Sequence, residues 1–321
     1  MNVPQIPHVS VIDPIGPAIE RVRTILFRPF DLEKWFIIGF CAWLAQLGSG
    51  GGGGGGNRTQ HKVDRESIRH DIDQAWEYVV HNLDWIIPVA VAATVVIVGL
   101  WLLVLWLSSR GRFMFLYCVA QNKAEVTNPW HRFRGHANNL FAFRAVVGLI
   151  TLGAALAPFV LGGIIAWVST ATLGFNPLTI VSLVAAGMYF FAVIVVAVVI
   201  GKFTKDFVVP IMYLHAGRAV SAWQVLLDLL SVNKARFFLY VLIQIAIAMA
   251  IGAMIVVSVC CTCCCAACLF ALPYIGTVIL LPLHVFGRSY SLYYLAQYGP
   301  EFNVFEPPPG PTTAPSEPQV W

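Results

Sequence analysis

WIIPVAVAATVVIVGLWLLVLWLSSRGRFMFLYCV, residues 85–119, is the stretch on which the fold turns. From Trp85 to Ser109 no charged residue interrupts it. Lipid offers backbone N–H and C=O groups no partner, so a run of this kind crosses a bilayer only as a helix. Its 35 residues would extend roughly 52 Å at about 1.5 Å per residue, beyond a hydrocarbon core of about 30 Å. The segment must therefore cross and then bend or protrude. Ser108-Ser109-Arg110-Gly111-Arg112 supplies the charges and the glycine, which places the membrane surface there.

Five further stretches have the same character, so the predicted spans are 31–48, 85–108, 140–168, 178–201, 236–260 and 266–288. Pro158 and Gly162-Gly163 predict a kink in the third. The expected fold is all-α: a polytopic integral membrane protein of six transmembrane helices in three hairpins, with amphipathic interfacial helices. Composition agrees, since 58% of the 321 residues are hydrophobic and 11% charged, against about 25% charged in soluble domains. An ordinary soluble enzyme is excluded on that ground. The net charge of +4 comes without a Lys/Arg-rich block, so a nucleic-acid partner has no footprint. The N-terminal MNVPQIPHVSVIDPIGPAIERVR lacks the charged-then-apolar order of a cleavable signal peptide, leaving insertion to the first apolar helix.

Each hairpin is expected to be entered through a helix half-sunk at the headgroups. The apolar stripes are Ile15, Ile19, Val22 and Leu26; Trp130, Phe133, Ala137 and Leu140; and Trp223, Leu226, Leu227 and Leu230. All recur at i, i+3 or i+4 spacing, and Ser221, Gln224, Asp228 and Ser231 line the opposite face of the last. Between the first two spans an unbroken glycine run from Gly50 to Gly56 reads as a flexible linker. A phosphate-cradling loop would want a Gly-Lys-Ser/Thr ending and a preceding strand, and neither is present. Ile68, Ile72, Trp76, Val79 and Leu83 then predict a surface helix. The expected organisation is a cytoplasmic N-terminus over 1–30, a membrane domain over 31–300 with an outer loop at 48–84, and a disordered proline-rich tail over 301–321.

Orientation follows from the basic residues. With the N-terminus inside, sixteen of the twenty Lys and Arg residues fall on the cytoplasmic side; only Arg58, Lys62, Arg65 and Arg69 lie outside. The expected location is the inner membrane, with both termini cytoplasmic.

Chemistry-bearing residues are few. Six of eight cysteines crowd into the window CCTCCCAAC, and Cys261, Cys264, Cys265 and Cys268 have the spacing to gather on one helix face. A soft metal or redox role is one reading; small apolar residues packing a tight hairpin is the other, and the better supported, because no histidine or carboxylate lies near. Ionisable residues near the spans are Arg144, His284, Arg288 and Lys205 with Asp206. Such groups are functional candidates by default, although snorkelling explains Arg144 and Arg288 as well. Arg288 and Asp206 have the charges to pair where two hairpins meet. Pro210 in KDFVVPIMYLH predicts a break or re-entrant turn. Trp85, Trp101, Trp106, Tyr290, Tyr293 and Tyr294 read as an interfacial belt. No GxSxG, HExxH or paired-carboxylate segment occurs, so no catalytic, cofactor or metal residues are assigned.

Taken together, RGRFMFLYCVAQNKAEVTNPWHRFRGHANNLFAFR, DFVVPIMY and ALPYIGTVILLPLHVFGRSYSLYYL resemble an uncharacterised family of bacterial and archaeal multi-pass membrane proteins, a domain of unknown function. Its helical pattern is similar to the membrane domain attached to some glycerophosphodiester phosphodiesterases. The resemblance runs over residues 15–305 and implies architecture; the soluble barrel that performs hydrolysis in those fused enzymes is not in this sequence. The expected function is non-enzymatic membrane organisation or partner binding. Membrane lipids, a membrane-protein partner or a second copy of the chain (a homo-oligomer) are the expected partners. A transporter or lipid-handling protein is the alternative, and it requires a polar cavity approached by Asp206, Arg288 or the segment at Pro210.

Overall fold

The computed structural model describes residues 9–48, 81–173, 177–215, 217–262, 269 and 272–305. Among these residues all regular structure is helical. In chain order the helices are α1 (Ile15–Leu26), α2 (Leu32–Gln46), α3 (Leu83–Gln121), α4 (Thr127–Arg132), α5 (Arg134–Leu173) and α6 (Pro177–Phe203). A π-helical turn, Thr204–Val208, leads into α7 (Val209–His215), followed by α8 (Ala219–Val232), α9 (Lys234–Cys261), α10 (Pro273–Ile279) and α11 (Leu281–Ala296). Most of the expected outer loop and of its expected surface helix, most of the cysteine window and the tail from 306 lie outside the described residues.

Among the described residues four helical stretches, not six, are long and apolar enough to cross a membrane: Leu83–Gln121, Arg134–Ile165, Ile180–His215 and Lys234–Cys261. The expected first span is α2, whose 15 residues extend only about 22 Å. Its apolar character serves protein packing, because Ile38, Cys41, Ala42, Leu44 and Ala45 are buried, with α3 and α10 as its neighbours. The expected sixth span is broken at Leu280 into α10 and α11, with Pro282 in the first turn of α11. Pro282 has no N–H to return to the Val278 carbonyl, and the Trp35 indole N–H donates to that oxygen instead at 2.9 Å.

The molecule has two unlike ends. Along the four long helices, residues such as Val95, Ile97, Leu149, Ile150, Val181, Val198 and Val256 are exposed in apolar rows, as a lipid-facing surface requires. At the other end α1, α2, the second half of α3, α7, α8 and α11 enclose one core. The chain before α1 closes it: Tyr290 Oη donates to the Val11 carbonyl at 2.8 Å, and Arg236 donates to the Val9 carbonyl. After α11 the chain stays packed through Phe305, whose ring stacks on Tyr293 at 4.4 Å.

Three sequence expectations are resolved in this packed end. First, of the two outcomes expected beyond Ser108–Arg112, bending or protruding, α3 takes the second: it runs on to Gln121, ends on Asn122 in the left-handed region, and buries Ser108–Ala120 in protein. Gly111 marks the α2–α3 crossing, where a Cβ would stand 2.5 Å from the Ala45 nitrogen and the Leu44 carbonyl carbon. Second, the amphipathic stripes exist, but protein covers much of them: Ile25, Leu26, Phe133, Ala137, Leu140, Ala222 and Leu226 are core. Periodicity specifies an apolar face without specifying whether lipid or protein lies against it. Third, Tyr290 and Tyr294 are fully buried and pack with Tyr240 and Phe207 rather than forming an interfacial belt.

Candidate functional site

The Ile180–His215 stretch stays helical through Pro210, where the sequence predicts a break or re-entrant turn, and widens just before it into the π turn. There the Val209 N–H reaches back five residues to the Thr204 carbonyl. Continued by one residue, that register would pair residue 210 with the Lys205 carbonyl, and Pro210 has no N–H to give. Arg288 of α11 supplies the missing donor through Nη1. The proline, the π turn and the arginine therefore form one device that binds α6 to α11 and turns Asp206 inward.

Beside it lies a cavity of about 120 Å³ between α2, α3, α6, α9 and α11, well above the roughly 10–15 Å³ that holds one water. Lys202, Lys205, Asp206, Gln244, His284 and Arg288 provide its polar lining; Ala42, Ala45 and Gly287 keep it open by their small size. Asp206 is the lone carboxylate on this lining. Its Oδ2 accepts from Lys202 Nζ at 2.9 Å and from Tyr240 Oη at 3.1 Å. Gln244, one turn along α9 from Tyr240, donates to that phenol at 3.1 Å and accepts from Lys202 Nζ at 3.4 Å. The Lys202 side chain is 34% exposed, so the cavity meets the surface there.

The surrounding cations outnumber this carboxylate. Among the described residues the ion pairs are Lys202–Asp206 and two surface pairs of Glu20, with Arg23 and Arg28. Arg288 has buried Nε and Nη2 atoms without a hydrogen-bond partner, and Arg112 has Nε and Nη1 in the same condition. Arg112 lies within electrostatic reach of Arg144, Arg288 and Asp206. Two other arginines have contacts that offset their charge without a carboxylate, although Arg110 Nε is also buried without a hydrogen-bond partner. Arg144 donates to Ser108 Oγ at 3.2 Å and Ser109 Oγ at 3.0 Å. The Arg110 guanidinium lies over the rings of Trp106 and Trp130, at 4.3 and 4.6 Å.

The structure thus brings Asp206, Arg288 and His284 to one cavity, but Asp206 and Arg288 do not pair with each other. Arg144 is held by the serines of α3 and is not on the lining. Cys261 is exposed at the end of α9, while Cys264, Cys265 and Cys268 lie outside the described residues. The two cysteines outside the cysteine window, Cys41 and Cys118, face each other across α2 and α3 with sulfurs 3.9 Å apart. Lys202, Arg112, Tyr240 and Gln244 were not anticipated as site residues. Lys202, Lys205 and Asp206 at i, i+3 and i+4, and Tyr240 with Gln244 at i and i+4, are the local signals that point to a polar face. Chemically the lining offers donors in excess, one neutralised carboxylate and restricted access for water. Those are the means to bind and desolvate a polar group.

Residues 9–275 match the sequence pattern described as "Family of unknown function (DUF7544)". The match stops short of α11, which brings His284, Gly287 and Arg288 to the cavity. No curated protein and no solved structure matches the chain.

Proposed function

We propose, from the premise that the chain belongs to the family of unknown function DUF7544, that it is a lipid-handling or solute-transporting integral membrane protein whose polar cavity holds a ligand. The observation carrying this reading is the cavity itself, where Asp206 and Arg288 meet with Lys205 and His284 beside the long apolar helices. Ionisable groups near lipid are costly to keep, and a purely structural bundle gains little from a cavity lined with them. The reading is non-enzymatic: among the described residues the lining includes no hydroxyl or thiol to serve as a nucleophile, and Asp206 is engaged by Lys202 and Tyr240. It places the protein in the inner membrane with the packed end, and both termini, in the cytoplasm. Support comes from the basic residues, since Arg21, Lys34, Arg112, Arg134, Lys205 and Arg236 all belong to the packed end.

Gly287 gives the direct test. A Cβ there meets nothing within 4 Å, so Gly287→Leu fills the cavity without removing a charge. Native mass spectrometry after extraction in mild detergent should show a bound species in the wild type that Gly287→Leu loses; equal retention by both contradicts the reading. Membrane organisation or partner binding stands as the second reading, favoured by one observation. In the most apolar window of Lys234–Cys261, 0% of residues are buried, which leaves that helix face open to lipid or to another protein.

A further inference from the structure

We infer that the cavity is an oxyanion site for a terminal phosphate, either inorganic phosphate or the monoester headgroup of a lipid. This rests on the ligand-holding reading above and assigns its chemistry. The lining carries Lys202, Lys205 and Arg288 against Asp206, a net charge of +2 with His284 neutral. Because Lys202 and Tyr240 already occupy the Asp206 oxygen, the surplus resides on Lys205 and Arg288. Both are donors only, since neither ammonium nor guanidinium can accept a hydrogen bond. Arg288 is 5% exposed and lines the cavity, yet two of its three nitrogens have no partner. Arg112 adds a further unpaired guanidinium within electrostatic reach.

An isolated buried cation costs several kcal/mol after relaxation, and an anion in the cavity removes that cost. The geometry selects among anions. Lys205 lines the cavity from the π turn and Arg288 from α11, so the guest needs acceptors in more than one direction. A terminal phosphate offers three such oxygens and up to two negative charges, matching the lining. A phosphodiester carries one charge, and a choline or ethanolamine headgroup would bring its cation against Lys205 and Arg288. Access beside Lys202, between α6 and α9, opens at the flank of the long apolar helices. That path suits a headgroup whose acyl chains remain in lipid and equally admits free phosphate.

The test uses the full chain in phosphatidylcholine nanodiscs, with inorganic phosphate as one probe and phosphatidic acid doped into the disc as the other. Phosphate binding is read by the thermal unfolding midpoint, and lipid retention by native mass spectrometry. Wild type should bind one of the two, and Lys205→Gln should weaken it about tenfold or more, the effect of losing a charge-assisted hydrogen bond. Gly287→Leu should abolish it with every charge retained, while Arg28→Gln, which removes an exposed charge paired with Glu20, should leave it unchanged. A response to inorganic phosphate identifies a soluble ligand; a response to phosphatidic acid alone identifies a lipid. If neither probe binds the wild type, or both Lys205→Gln and Gly287→Leu bind as wild type does, the inference is overturned. In that event a different species displaced by Gly287→Leu leaves the ligand-holding reading standing, and no displaced species removes both.

Discussion

Asp206 sets the charge balance of the packed end, because it is the carboxylate among the cations of the cavity lining. Removing it in Asp206→Asn strands Lys202 beside Lys205 and Arg288. Breaking a fully buried pair costs roughly 3–5 kcal/mol; with the Lys202 side chain 34% exposed, a double-mutant cycle of Asp206→Asn with Lys202→Met should give a coupling of about 1–3 kcal/mol. Denaturant titration in mixed micelles measures it, and additive single effects would contradict the assigned pair. At the closed face of the core, Tyr290→Phe removes the hydrogen bond to the Val11 carbonyl. The expected loss is about 1 kcal/mol, with faster proteolysis ahead of α1; unchanged cleavage would show that the segment before α1 is held by other contacts.

At the scale of elements, two prolines do the same work. Pro210 releases the Lys205 carbonyl to Arg288, and Pro282 releases the Val278 carbonyl to Trp35. A disturbed hydrogen-bond register was legible in the sequence at Pro210, because the missing N–H is a property of the residue, although the helix continues through it. Its form was not, since a π turn depends on a donor from α11, more than seventy residues away in the chain. Pro210→Ala restores an N–H that competes with Arg288. The expected result is a folded protein with weaker ligand retention by native mass spectrometry, whereas full retention would remove the turn from the account of the site. Gly111 tests the α2–α3 crossing. Gly111→Ala drives a methyl to 2.5 Å of the α2 backbone and should destabilise by about 1–3 kcal/mol, read by the same denaturant titration; a neutral outcome would mean that α2 and α3 lie farther apart.

For the whole molecule, helix content and the four long apolar helices were readable from composition and run length alone. The two remaining apolar runs misled because apolarity measures exclusion from water, whether by lipid or by protein: α2 is buried in protein at 15 residues, and α10 with α11 is divided at Leu280. Half of the site was legible as isolated charges, Lys205, Asp206, Arg288 and His284. Lys202, Tyr240, Gln244 and Arg112 were not, because they join it only when α3, α6, α9 and α11 converge. On the proposed orientation, reporter fusions at the two ends of the chain should both report the cytoplasm, because α1 near one end and α11 near the other share the packed core; opposite locations would contradict that placement. The cation-lined cavity is the central claim, and an experimental structure of the wild-type protein in nanodiscs of native lipid tests it most directly. Non-protein density within hydrogen-bonding distance of Arg288 and Lys205, continuing toward the flank beside Lys202 if the guest is a lipid, is the predicted result. A cavity collapsed onto its own side chains, or filled only by water with Arg288 turned to a protein acceptor, would contradict it.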